Sequence, residues 1–425
     1  MKEDFLHYVW KFQKFSAVNL KTNQGEHLKI LKTGQPNQNA GPDFLLGELL
    51  IDHRKWVGQI EIHLKSSDWI AHGHEEDLAY DNVILHVVWE HDLEIKRKDG
   101  SEIPVLELNQ RVDPGSLQNY QKLFSTLQKW INCEDDLPNM EPFLIQNWLE
   151  RLYIERLEAK AESLMKRLEK SKFNWEAVLF EQLCKNFGMK LNGEAFLSLA
   201  ESIPYNLIQK LRNNATDLES LLMGQTGLLE KDIDDPYYVK LQVTYAYIKV
   251  KYPYLNKAGI RPKFFRLRPV NFPTIRISQL CQLWSSRPHF FAEIIDKWKL
   301  SEFYILFEAK ANSYWDTHYN FGKKSKEFEK KLTTNFIDNL IVNTVLPLKF
   351  CYARFQGKDI SEEIIALAQT IKAERNTIIS KYSKLFPFEN STLVSQGLLQ
   401  LHSNYCKLNN CINCAIGNKI IGRAN

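Results

Sequence analysis

The chain has 425 residues, 44% of them hydrophobic, with 55 Lys plus Arg against 51 Asp plus Glu; that is enough apolar side chain to bury two or three cores of ordinary size, which excludes a disordered tail. Its longest largely apolar run, Val83–Trp89, is well short of the roughly 20 residues of a spanning helix, which argues against a membrane protein. Glu3 and Asp4 stand where a secretory signal would be basic and then apolar, so the expectation is a soluble cytoplasmic protein.

In chain order, Glu3 to Phe15 has helical apolar spacing at Phe5, Val9, Trp10 and Phe12. Strand-like segments follow near His27–Leu31, Phe44–Ile51, Trp56–Leu64, Val83–Glu90 and Pro104–Leu108, separated by polar, Gly- and Pro-containing breaks. Asp113, Pro114 and Gly115 mark a boundary, after which the pattern is nearly all helix. Glu141–Glu169 reads as one long amphipathic helix, and shorter ones fit Trp175–Phe187, Glu194–Glu201, Tyr205–Arg212, Tyr238–Lys249, Ile275–Trp284, Phe336–Val345, Ser361–Lys372 and Leu393–Asn404. The expected class is α+β: a small mixed-sheet domain over residues 1–112, then a larger, mostly helical domain over 113–425.

Charge divides along the same line. Residues 1–110 hold 12 basic and 18 acidic residues, and the remainder holds 43 basic and 33 acidic, so the two parts differ in the partners they attract.

The densest polar stretch runs from Asn39 to Trp89. Glu61 and His63 are two apart on one strand and project from the same face, while Ile60, Ile62 and Leu64 project from the other. If Asp52, His53 and Arg54 form the hairpin loop, Asp43 lies opposite His63 with Glu61 a diagonal neighbour, close enough for one cation to bridge both carboxylates; a slip of one residue would turn Asp43 away. Two carboxylates can hold magnesium or manganese with several waters, and His63 or Lys65 can serve the charge that develops on a phosphate. Downstream, Asp68, His72 and His74 offer additional ligands for zinc or a proton shuttle. His86, inside an apolar strand, reads as a core histidine.

An Asp at the start of one strand and a Glu-x-Lys on the next resembles the PD-(D/E)XK nuclease superfamily. Gly41, Pro42, Asp43 and Phe44 look like its first motif and Glu61, Ile62 and His63 like its second, with His63 where the superfamily usually places Lys and Lys65 two positions late. Together with Tyr80–Val88, with Tyr314, Trp315 and His318 before Phe321 and Gly322, and with the C-terminal cysteines, the whole chain resembles an uncharacterised bacterial family known only as a domain of unknown function. The resemblance implies a restriction-endonuclease-like first domain.

Residues 236–292 contain no Asp or Glu, ten Lys or Arg and twelve aromatic residues. Lys251, Arg261, Lys263, Arg266, Arg268 and Arg276, with Lys257 among them, suit phosphates, and the interleaved rings suit exposed bases; docking on the acidic first domain is the competing reading. Tyr314 to Lys324 mixes aromatic and basic residues in the same way. Near the C-terminus, Cys406, Cys411 and Cys414, one helical turn after His402, have spacings that close a zinc site with His402 or a remote Cys, or an iron–sulfur site.

The leading expectation is a metal-dependent nuclease, with Asp43 and Glu61 holding magnesium or manganese. The alternatives are a nuclease-like module that binds nucleic acid or protein without cutting, and a zinc hydrolase built on His63, His72 and His74.

Overall fold

The computed structural model describes residues 1–37, 39–125, 129–255 and 258–423. Lys257 lies outside them. Two compact units emerge: residues 1–148 with 381–387 and 400–425, and residues 149–380 with 388–399.

In the first unit, helix α1 (Glu3–Lys11) opens with two acids in its first turn, closes with Lys11, and buries Phe5, Leu6, Tyr8, Val9 and Trp10, an arrangement that matches the helix dipole. The sheet comprises β1 (Leu28–Lys32), β2 (Gln35–Pro36), β3 (Phe44–Ile51), β4 (Arg54–Lys65), β5 (Val83–Glu90) and β6 (Val105–Glu107) in the order β1-β3-β4-β5-β6, with β2 against β3. The β1/β3 and β3/β4 pairs are antiparallel, whereas β4/β5 and β5/β6 are parallel. Parallel neighbours need a crossover. Between β4 and β5 it is made by the short helix α2 (Asp68–Ala71) and the turns around Leu78–Tyr80, and Trp69 and Tyr80 pack there with Val83, Ile95 and Ile103.

Ile51 pairs with Arg54, so the β3/β4 loop is Asp52 and His53 alone rather than the three residues expected. Both have positive φ, at 42° and 72°, as the tightest hairpin turns require. Further along, Gly47 faces Gly58 but Phe44 faces Ile60: β3 carries one extra residue, a bulge in which Leu46 sits at φ 58° with its side chain exposed. The shorter loop slips the register by one and the bulge slips it once more. Asp43 therefore comes opposite Glu61, with the two side chains on the same face.

Also in the first unit are α3 (Pro114–Leu123), whose Asp113 side chain accepts the Ser116 N–H, and the C-terminal helix Ala415–Ile421. Tyr8 Oη donates to the Asn418 carbonyl at 3.4 Å, Asn119 Nδ2 donates to the Arg423 carbonyl at 3.0 Å, and Arg423 pairs with Asp136 at 3.0 Å.

The second unit is helical around one large apolar core. It takes most of α4 (Pro142–Lys170), then α5 (Trp175–Phe187) and α6 (Met189–Glu201). The helices over Pro236–Lys251, Pro273–Ser285 and Leu346–Phe355 carry Pro in their first turn, where a missing N–H costs nothing. The helices expected over Phe336–Val345 and Leu393–Asn404 begin at Thr334 and Thr392 and continue as π-helical turns over Ile341–Val345 and Leu401–Cys406. The molecule is thus α+β, a small sheet with a mostly helical remainder. No described helix is long and apolar enough to cross a membrane.

Candidate metal centre

The site is built where β3 begins, β4 ends and the crossover passes over. Asp43 and Glu61 are held reciprocally: the Asp43 amide donates to Glu61 Oε2 at 3.1 Å, and the Ile62 amide donates to Asp43 Oδ2 at 3.0 Å. His63 follows Glu61 on the same face, and both are buried, at 2% and 4% exposure.

The crossover brings the other imidazoles. Helix α2 stops at Gly73, whose φ of 71° reverses the chain as helix C-termini commonly do; the amides of Gly73 and His74 return to the carbonyls of Ile70 and Trp69. His72 and His74 flank that reversal and both turn toward His63. One nitrogen from each of His63, His72 and His74 lies within 4.8 Å of the other two. His63 Nε2 is 3.1 Å from His72 Nδ1, and Glu61 Oε1 is 3.4 Å from Nε2 of both His63 and His74. His72 is exposed, so the cluster opens to solvent on that side and is walled elsewhere. Tyr80 stacks on His74 at 3.8 Å between ring centres, and Trp69 meets it edge-on at 5.4 Å.

His86 is fully buried, and its Nε2 lies 2.8 Å from His63 Nδ1. The reading of His86 as a core histidine is silent on this contact: the β4/β5 register seats it beside Glu61, and the Trp69 ring packs against it at 5.4 Å. It fixes the His63 ring so that Nε2 faces the cluster. A second residue unseen in the sequence is His7 on α1, whose Nε2 stands 3.3 Å from Asp43 Oδ2.

Titration follows from this crowding. Burial, and then the charge of Asp43, pushes the Glu61 carboxyl up to about 9. Burial, then His74 and His72, holds His63 down to about 4. Burial lowers His7, but the Asp43 carboxylate outweighs it and His7 ends above the usual histidine value. A buried acid beside a second acid and three imidazoles is a set of donors that one divalent cation would hold together, in place of the proton on Glu61.

The remaining candidates lie apart. Lys65 Nζ turns to Glu90 at 3.5 Å and Asp92 at 4.0 Å, so it does not reach back to Glu61, and Asp68 Oδ2 accepts the Lys65 amide at 2.9 Å. In the second unit, Lys251, Lys263, Arg266 and Arg268 are exposed. Arg261 is near Glu230 at 3.5 Å, and Arg266 lies over the exposed Phe265 ring at 5.1 Å. Arg276, expected on that surface, is only 6% exposed: its guanidinium donates to Gln279 and Asn271 and stacks on Phe336 at 3.7 Å, because it points inward from the helix Pro273–Ser285. Arg268 and Arg276 border a cavity of about 1090 Å³ together with Lys185, Lys190, Lys330 and Lys331.

The aromatic motif from Tyr314 is structural. Trp315 is buried and its Nε1 donates to Glu219 at 2.8 Å, while Tyr314 Oη donates to Asp235 at 2.8 Å. His402 lies against the Trp130 ring at 5.1 Å.

No curated protein and no solved structure matches the chain. A family model described as protein of unknown function (DUF2851) matches residues 3–377, and the chain belongs to that family.

Proposed function

We propose that the protein is a metal-dependent phosphodiesterase acting on nucleic acid, with one divalent ion held by His63, His72, His74 and Glu61. The observation that carries this reading is the convergence of three imidazole nitrogens within 4.8 Å, with the Glu61 carboxylate 3.4 Å from two of them. This donor set departs from a pair of carboxylates holding magnesium. Imidazoles favour a borderline ion such as zinc over magnesium, which takes oxygen ligands. When bound, such an ion acidifies a water and offsets charge on a phosphate.

The chain's own groups then divide the work. His86 sets the His63 tautomer, Asp43 orients Glu61 through its amide, and His7 holds a proton at Nε2 beside Asp43 more tightly than a free imidazole would. Nucleic acid as substrate is supported by the resemblance to the PD-(D/E)XK superfamily, with His63 at its Lys position, and by the exposed cations and rings of residues 251–268 in the second unit.

The test is hydrolysis of single- and double-stranded DNA and RNA by the full chain with zinc, manganese or magnesium. Cleavage with zinc or manganese that His72→Ala and Glu61→Gln abolish supports the proposal. Binding without cleavage under every condition replaces it with a nucleic-acid-binding module.

A further inference from the structure

The C-terminal thiols have a partner far away in sequence. Cys133, in the turn between Ile131 and Leu137, belongs to the same compact unit as Cys406, Cys411 and Cys414, and all four are free. Its neighbour Asn132 donates from Nδ2 to Cys411 Sγ at 3.4 Å and to Asn409 Oδ1 at 3.2 Å, which fixes the Cys133 turn against the Cys406–Cys414 loop. Tyr382 Oη lies 3.3 Å from Cys406 Sγ. The amides of Ile416 and Gly417 point at Cys414 Sγ. Gly417 itself is needed, since a Cβ there would stand 2.1 Å from the Cys411 carbonyl oxygen.

Cys133, Cys411 and Cys414 are buried and Cys406 is partly exposed, and Cys133 lies within electrostatic reach of the other three. N–H and O–H donors gather around these sulfurs, an environment that suits thiolates bound to a positive centre.

We propose that Cys133, Cys406, Cys411 and Cys414 ligate a four-iron, four-sulfide cluster that ties the 131–137 turn to the C-terminal segment, with Cys133 as the fourth ligand in place of His402. Spacing separates this cluster from zinc. Zinc bonds of 2.3 Å in a tetrahedron bring sulfurs to about 3.8 Å from one another. Among the described residues the histidine group is the one whose three ligand atoms all come within 4.8 Å of one another, and no three thiols meet that spacing. A cubane suits wider spacing because each thiolate binds a different iron at its own corner. On ligation the thiol protons leave to solvent, and the donors around Cys406, Cys411 and Cys414 remain as sulfur hydrogen bonds. His402, stacked on Trp130, stays outside.

The test is iron, zinc and acid-labile sulfide analysis of the full chain, purified without oxygen and also after reconstitution with ferrous iron and sulfide. About four iron and four sulfide per chain, with a broad visible charge-transfer band, is the expected result. Cys133→Ser and Cys411→Ser should lose the band, whereas His402→Ala and Cys281→Ser should keep it. About one zinc per chain without sulfide overturns the proposal. So does a wild type that takes up no iron, or a Cys133→Ser variant with unchanged iron and sulfide. If Cys133→Ser does not fold, the wild-type iron and sulfide content still decides.

Discussion

Protons at Glu61 and His63 govern how the candidate centre responds to pH. Glu61, raised from 4.5 to about 9 by burial and then by Asp43, gives the metal-free protein a stabilisation that is complete below about 4.5 and is lost as pH rises through about 9. A divalent ion must displace that proton, whereas His63, held down to about 4, is already neutral. Zinc affinity should therefore climb close to tenfold per pH unit between about pH 6 and 8, with about one proton released per ion. Calorimetric titration in buffers of different ionisation enthalpy measures this; a flat profile would exclude Glu61 as a ligand. Glu219 offers a metal-free counterpart. Fully buried, it accepts from Trp315 Nε1 and Ser278 Oγ at 2.8 Å each, and burial raises it to about 7. Its contribution is present below 4.5 and disappears as pH rises through about 7, so wild-type stability should fall across that window by up to about 3 kcal/mol. Glu219→Gln should flatten the fall in thermal melts at a series of pH values.

For the sheet, the informative element is the β3/β4 hairpin, in which two departures from a plain ladder cancel. The two-residue turn alone would put Asp43 on the wrong face, and the bulge at Leu46 returns it. Deleting Leu46, an exposed residue, should leave the sheet folded but point Asp43 away from Glu61, releasing His7 from its 3.3 Å contact. A histidine titration followed by NMR would show His7 falling toward its ordinary value; no change would mean that the bulge does not set the register. Gly58 is a second control point, since a Cβ there would stand 2.6 Å from the Asn82 carbonyl oxygen and 2.5 Å from Ile84 Cγ2. Backbone cannot yield cheaply, so Gly58→Ala should cost about 1–3 kcal/mol in chemical denaturation.

At the scale of the whole molecule, the chain returns to where it began. Residues 400–425 join residues 1–148 in one compact unit, through Tyr8 to Asn418, Asn119 to Arg423 and Arg423 to Asp136. Ending the chain at residue 399 should therefore loosen α1 and α3, which lie hundreds of positions upstream. Hydrogen exchange should rise across Glu3–Lys11 and Pro114–Leu123 while α5 and α6 in the second unit keep their protection. Equal loss in both units would contradict the division.

Side-chain pattern decided the elements: β3 and the helix Trp175–Phe187 have the bounds that alternation and helical spacing indicate, and β5 has those of a continuous apolar run buried on both faces, because burial is a local demand on side-chain order. The alignment of Glu61 and His63 on one strand face was legible for the same reason. Register was not, since Leu46 in a left-handed conformation answers to Gly47 packing on Ile60, a contact no local pattern encodes. Nor were His7 and His86, one on a helix that reads as amphipathic and one in a strand that reads as core; each acquires a role only by what folds against it. Cys133 reads as an isolated thiol for the same reason, since it stands 273 positions before Cys406. Local sequence determines which residues are buried and in what element, while partners distant along the chain meet only through tertiary packing, and those meetings create both candidate sites.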